Sequence, residues 1–270
     1  MENFLLPSKV DFVQGDDALH GTLVITPCFH GYGTTLGNAL RRVLLSSLSG
    51  GAVEAFKIKG VQHEFGAVEG VQEDVVEIML NLKQLAVKVH GTEPVTLTLS
   101  KKGPGVVTAG DITKDANAEI MNKDLVICNL TSNKGIEMEI IVGRGRGFVP
   151  VEEKDKKNYP LGTIVTDSIY TPVKDVGYRV EYTRVGDITN YEKLTVNIET
   201  NGTLSPEDAV KQSVQILIDH FSIVLSSVAS ASNSSMSAAP ETAMEEPVVA
   251  TEETVEEETE EKGKKKSKKK

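Results

Sequence analysis

The sequence predicts an α+β fold in two parts: a set of strands with two long helices that pair with a second copy, and a β-rich middle. Three observations predict it. Short β-branched runs punctuated by Gly, Pro and Asn fill the middle of the chain. Two segments outside that middle, 36–48 and 205–228, carry helical apolar stripes too broad for one domain face. The strand–helix–strand alternation of a doubly wound sheet is absent downstream of the first helix. At 270 residues the chain has room for one large domain or two small ones.

Residues 10–27 alternate, with Val10, Phe12, Val13, Thr22, Val24 and Ile25 marking two strands around a turn at Gly15-Asp16-Asp17, and Pro27 ending the second. Thr34 or Thr35 caps a helix over Leu36–Leu48 that Gly50-Gly51 stops. Strands follow at Val53–Ile58, Val87–Val89, Val95–Leu99, Leu125–Leu130 and Ile136–Val142, interrupted by one helix from Gln72 to Leu85. Residues 154–158 read as a charged loop. Strand texture resumes at Tyr178–Arg184 and Lys193–Glu199, and Asn201-Gly202 turns the chain. Ser205 then caps the last helix, with Pro206 at its first position and Glu207 and Asp208 in its first turn. Val210, Val214, Leu217, Phe221, Val224 and Val228 follow at steps of four and three, the spacing of a helix–helix seam. Ile218 and Leu225 widen that stripe. Two such helices make half of a four-helix arrangement, which a second copy of the chain completes by twofold pairing.

Charge and cysteine usage exclude several functions. The chain has 39 acidic and 29 basic residues, a net charge of -10, which argues against coating nucleic acid through bulk charge. Ten of the acidic and seven of the basic residues lie from Glu241 onward, so the body before it is acidic as well. Cys28 and Cys128 supply neither a disulfide framework nor a Cys-rich metal site. No apolar run approaches the roughly 18 residues of a membrane span, and Met1–Val10 lacks the layout of a signal peptide. A cytoplasmic location is expected. Residues 229–270 contain no Leu, Ile, Phe or Tyr and pass from Ser/Ala-rich through a Glu run to a Lys run, the pattern of a disordered, acidic-then-basic tail.

Two glycine-rich elements invite a binding function. His30-Gly31-Tyr32-Gly33-Thr34-Thr35-Leu36-Gly37 follows a strand and opens a helix, where a pyrophosphate could sit, but its glycines are one residue out of step with the dinucleotide fingerprint. Tight turning and close backbone approach explain them equally. Gly143-Arg144-Gly145-Arg146-Gly147 offers two guanidinium forks to phosphate, or is a strand with outward arginines. A self-contained RNA- or nucleotide-binding module is therefore the alternative function. Catalytic constellations are missing: the five histidines are scattered, and neither a nucleophile elbow nor a P-loop occurs. No catalytic residue, metal or cofactor is expected.

The runs GYGTTLGNALRRVLLSSL (31–48), GVQHEFGAVEGVQEDVVEIMLNLK (60–83), GRGRGFVPVEEK (143–154), SIYTPVKDVGYRVEYTRVGDITNYEKLTV (168–196) and ETNGTLSPEDAV (199–210) resemble, in the same order, the N-terminal domain of the alpha-subunit family of bacterial RNA polymerase. The resemblance spans about residues 5–228. It implies a non-catalytic subunit of a nucleotidyltransferase complex that homodimerises and carries the beta and then the beta-prime subunits, with omega and sigma in the holoenzyme. It implies a dimerisation subdomain of antiparallel sheet plus the two long helices, 1–51 and 174–228, an inserted β-rich subdomain of 52–173, and a dimer interface that adds Leu36, Leu40 and Val43 to the seam. Asn38, Arg41, Arg42 and Leu45 correspond to beta-contacting positions, and Lys83 and Thr166 to positions involved in beta-prime attachment. Family members commonly carry a C-terminal DNA-binding domain that the residues after Val228 lack the aliphatic side chains to build. Little or no direct promoter DNA contact is expected.

Overall fold

The computed structural model describes residues 6–15, 17–155 and 159–234, with side chains through Ala229. The expected tail and residues 156–158 of the charged loop lie outside the described residues, apart from the stretch up to Ser234, which is helical. The chain divides into two compact units, residues 1–224 and 225–270. The first contains two hydrophobic cores.

One core lies under a four-stranded antiparallel sheet, the platform. Its strands are β1 (Lys9–Gln14), β2 (His20–Cys28), β13 (Val173–Val185) and β14 (Ile188–Thr200), in the order β1-β2-β14-β13. The last two are longer than their sequence texture predicts, because an uninterrupted ladder from Val176↔Ile198 to Thr183↔Tyr191 carries polar and aromatic positions as well. Pro27 does not end β2, which runs on to Cys28. Its missing N–H costs no ladder bond there: β1 has already ended opposite Thr26, and β14 shifts register between Glu192 and Leu194. Helix α1 (Tyr32–Ser46) packs across β13 and β14 through Gly33, Gly37, Leu40 and Leu44. A Cβ on Gly37 would come within 2.7 Å of the Tyr178 ring, so only glycine lets the helix approach this closely.

The second core belongs to the insert. Gly50 and Gly51 do more than stop α1, for they open strand β3 (Ser49–Ile58), and Gly50 leaves space for the carbonyl of Tyr170. With β4 (Val87–Val89), β5 (Val95–Lys101), β7 (Ala118–Ile120) and β9 (Ile136–Arg146), it forms an antiparallel sheet in the order β5-β9-β3-β4-β7. Two-stranded pairings β6 (Gly105–Thr108) with β8 (Val126–Leu130), and β10 (Phe148–Val149) with β12 (Ser168–Ile169), complete it, while β11 (Ile164–Val165) adds to β3. Helix α2 (Val75–Lys83) contributes Val75, Ile78 and Leu82 to this core. It starts later than Gln72 because Asp74 accepts the Glu77 N–H at 2.7 Å as N-cap, while Gln72 and Glu73 hydrogen-bond to Asn129 on β8.

Helix α3 spans Pro206–Ser234, and Ser205 Oγ accepts the Asp208 N–H at 3.1 Å. Its start packs on the platform through Ala209 and Ser213, with Val210, Ile216 and Leu217 partly buried against the same core. Ser213 is fully buried despite its hydroxyl, which donates to the Val210 carbonyl at 2.8 Å.

Candidate protein interface

Helix α1 begins at Gly31, whose φ of 82° is left-handed, and no side chain of its own first turn caps it. Thr34 and Thr35 are not its caps: Thr35 sits inside the helix and its hydroxyl donates back to the Gly31 carbonyl at 3.1 Å. The cap comes from β14 instead. Glu192 accepts the N–H of Gly31 at Oε1 and that of Gly33 at Oε2, both at 2.9 Å, and is itself 5% exposed. The glycines thus present their N–H groups to an anion, as the nucleotide reading requires, but the anion is the chain's own carboxylate.

From this anchored start α1 turns Asn38, Arg41 and Arg42 outward. Neither guanidinium forms an ion pair among the described residues. Leu45 is half-buried against the platform core, and its carbonyl accepts from Thr171 Oγ1. The four beta-contact candidates therefore share one helix, with three exposed and Leu45 at the margin. Of the dimer candidates on α1, Leu36 and Val43 are partly buried and Leu40 is 5% exposed, packed under the helix. Leu40 is a core residue with almost no surface left for a partner.

A second polar surface joins the end of α2 to the segment after β10. Lys83 Nζ meets Asp167 Oδ2 at 2.7 Å, and Asp167 Oδ1 accepts the Val151 N–H at 3.0 Å. The Lys83 ammonium holds the Asp167 carboxyl below the usual carboxylate range. Thr166 does not belong to that surface. It is fully buried, its N–H donates to the Glu54 carbonyl, and its hydroxyl has no hydrogen-bond partner among the described residues. In the single chain position 166 is therefore a buried one: Thr166, between β11 and β12, is tied to Glu54 on β3, and its neighbour Asp167 is half-buried.

Beneath this surface the Lys154 ammonium donates to the carbonyls of Glu54 and Thr166 and to Ser168 Oγ, at 3.1, 2.5 and 2.6 Å. Burial lowers the Lys154 pKa. Tyr170 and Tyr159 donate to the two oxygens of Glu54, at 2.7 and 3.3 Å, and burial pushes the Tyr159 hydroxyl up to about 12. The glycines of the Gly143–Gly147 element serve this network. Gly143 leaves room for the Glu54 carboxylate, and a Cβ on Gly145 would strike the Tyr170 ring at 2.8 Å. The element is the end of β9, paired with the start of β3, and both arginines point outward.

The third surface is apolar. The expected seam divides along α3: Val210 and Leu217 turn partly into the chain's own core, while Val214, Phe221, Val224 and Val228 are exposed. Phe221 is 67% and Val224 59% exposed, and Ile218 and Ile223 are also more than half exposed. Burial raises the Cys28 thiol, and it pushes the Cys128 thiol up to about 12, so neither is a ready nucleophile. Among the described residues no group of three or more His, Cys, Asp or Glu is placed to hold a metal, and no helix is long and apolar enough to cross a membrane. Sequence reasoning missed Glu192, Lys154 and Asp167. Each acts on residues far away in sequence, and a charged residue inside a strand texture, such as Glu192 between Tyr191 and Lys193, was the one available signal.

Residues 56–171, which make up nearly all of the insert, match the family model of the RNA polymerase Rpb3/RpoA insert domain. The match supports an RNA polymerase alpha/Rpb3-type subunit.

Proposed function

We propose that this chain is the non-catalytic scaffold subunit of a bacterial RNA polymerase, which homodimerises and nucleates assembly of the beta and beta-prime subunits for DNA-templated transcription. The observation that carries the proposal is the pairing of an RNA polymerase insert domain at 56–171 with a platform helix whose large apolar side chains lie exposed. Residues 1–51 and 174–228 form the dimerisation subdomain in this reading, and a second copy covers Phe221, Val224 and Val228. The beta subunit docks on Asn38, Arg41, Arg42 and Leu45, where exposed guanidiniums that form no ion pair among the described residues can meet carboxylates of a partner. Beta-prime docks on the side of the insert that carries Lys83 and the stretch around Thr166, where Lys83 pairs with Asp167. Omega and sigma join the assembled core, and the subunit makes little or no promoter contact of its own.

Affinity purification of the full chain from its own cells, followed by mass spectrometry, tests the proposal. Two very large polymerase subunits should co-purify in near-stoichiometric amount. Recovery of the chain with bound RNA or nucleotide, and without those subunits, would overturn it in favour of a self-contained binding module.

A further inference from the structure

The turn that launches α1 is gripped by two neighbouring residues of β14. Tyr191 meets the Phe29 ring edge-on at 6.5 Å, and Phe29 meets Tyr32 in the same way at 6.3 Å. Beside it, the Glu192 carboxylate takes the N–H groups of Gly31 and Gly33, two of the four orphan donors at a helix start. The first turn of α1 has no acidic residue and its N-cap no side chain, so Glu192 supplies the negative charge that the helix dipole favours there. His30 Nδ1 lies 3.5 Å from the same carboxylate. Gly33 is needed for this seat, since a Cβ would fall 2.8 Å from Glu192 Oε2 and 2.9 Å from Val180 Cγ1. At the far end of the helix, Thr171 Oγ1 holds the Leu45 carbonyl at 3.2 Å. Between these two fixed points lie Asn38, Arg41 and Arg42.

We infer that Glu192 is a positioning residue for the outward face of α1, holding the helix in the orientation at which Asn38, Arg41 and Arg42 engage the beta subunit. The inference rests on the assignment of that face to beta proposed above. A binding constellation must be held to within about 0.5 Å of its productive geometry, and a helix released at one end no longer meets that tolerance. The Glu192 carboxylate is buried and accepts from Gly31 and Gly33 within the chain, so its part is to place α1 rather than to meet a partner. Replacing it by Gln leaves one oxygen acceptor and turns an amide N–H₂ toward the other backbone donor, so the seat is broken without a change in size.

The test measures binding of the purified beta subunit to the full-length dimer carrying Glu192→Gln, Arg41→Ala/Arg42→Ala, or all three substitutions. Glu192→Asp and Gly33→Ala serve as independent perturbations of the same seat, and sedimentation and thermal unfolding monitor dimer and fold. Glu192→Gln should weaken beta binding about tenfold with the dimer retained, and Glu192→Asp less. In the triple variant the loss should be no greater than in the arginine variant, because a positioning residue has nothing left to position. Full additivity of the two losses would overturn the inference, since Glu192 would then act through general stability. Unchanged binding for Glu192→Gln and Gly33→Ala, with binding lost in the arginine variant, would overturn it alone. Unchanged binding in the arginine variant would instead remove the beta-face assignment, and the inference with it.

Discussion

Among the described residues, the insert buries 24 apolar side chains in one continuous core, and the platform buries 11. The insert's sheet is covered by α2, whose Val75, Ile78 and Leu82 are all fully buried. The platform is covered by α1, which needs two glycines to come close enough, and by the start of α3. Its apolar material is not scarce; Ile218, Phe221, Ile223 and Val224 are simply left outside. Burying side chains of this size is worth roughly 1.5–3 kcal/mol each, so four of them left in water are a substantial reserve for association. Both regions leave apolar side chains exposed, but those of the insert, such as Phe65, Leu80 and Leu161, lie on separate segments, whereas Ile218, Phe221, Ile223 and Val224 lie together on α3, where the proposed dimer would cover them.

The most direct way to break this comparison is at α3. Phe221→Asp with Val224→Asp places two carboxylates at positions that are exposed in the single chain, so the monomer fold should be unaffected. In a dimer seam those carboxylates would be buried unpaired, at several kcal/mol each, and dimerisation should fall more than a thousandfold. A double variant that still sediments as a dimer would place the contact elsewhere. The converse change lies in the insert. Phe56→Ala removes a fully buried ring and should destabilise the insert core by about 3–5 kcal/mol. Hydrogen exchange should show loss of protection at Ile140 and Leu97, which share that core, with the dimer retained. Simultaneous loss of dimer and insert would show that the two cores are not separate units of stability.

These two regions also differed in how far the sequence disclosed them. The insert strands at Val53–Ile58, Val87–Val89 and Val95–Leu99 and the core of α2 were legible, because an alternating or helical apolar pattern is a local property. The seam on α3 was legible as spacing, yet spacing does not divide a broad stripe between the chain's own core and another surface. Val210 and Leu217 turned partly inward, and the fully buried Ser213 broke the rule that the inner face is apolar. At the candidate site, Asn38, Arg41 and Arg42 were readable as polar positions on an otherwise apolar helix. The helix start was misread as a Thr cap because its true partner, Glu192, lies about 160 residues away. At Thr166 motif resemblance locates a segment, and only the folded chain decides which of its side chains face out: Thr166 is buried, and Asp167 beside it is half-buried.

The outward face of α1 belongs to the platform, but Arg41 and Arg42 are exposed on it, on a different helix from the exposed α3 side chains, so the proposed docking of beta can be tested apart from the proposed dimer. Arg42→Ala should weaken beta binding by about 2 kcal/mol, roughly thirtyfold, with no change in dimer sedimentation or thermal midpoint. A dimerisation defect in Arg42→Ala would merge the two surfaces and blur the distinction between covering α3 and recruiting a partner.

The smallest expected effect tests whether the insert's exposed polar contacts matter to its stability. The Asp167 carboxyl is held below the ordinary carboxylate range, first by the Lys83 ammonium that donates to it at 2.7 Å, then by the Val151 N–H. A carboxyl depressed in the folded state contributes stability that is complete above its unfolded pKa of about 3.9 and is lost as pH falls through the lower folded value. The contribution is therefore full at pH 7 and disappears only in acid below about pH 4. Both side chains are partly in water, so the pair is worth about 1 kcal/mol or less. Lys83→Met should cost that amount at pH 7, with the gap between variant and parent closing as the pH is lowered below 4. Urea unfolding of both proteins at several pH values, followed through a probe in the insert, measures the gap. If the gap stays constant into acid, the Lys83 stem rather than its charge supports the insert. The salt bridge would then be a feature of the docking surface with no share in the stability of the core beneath it.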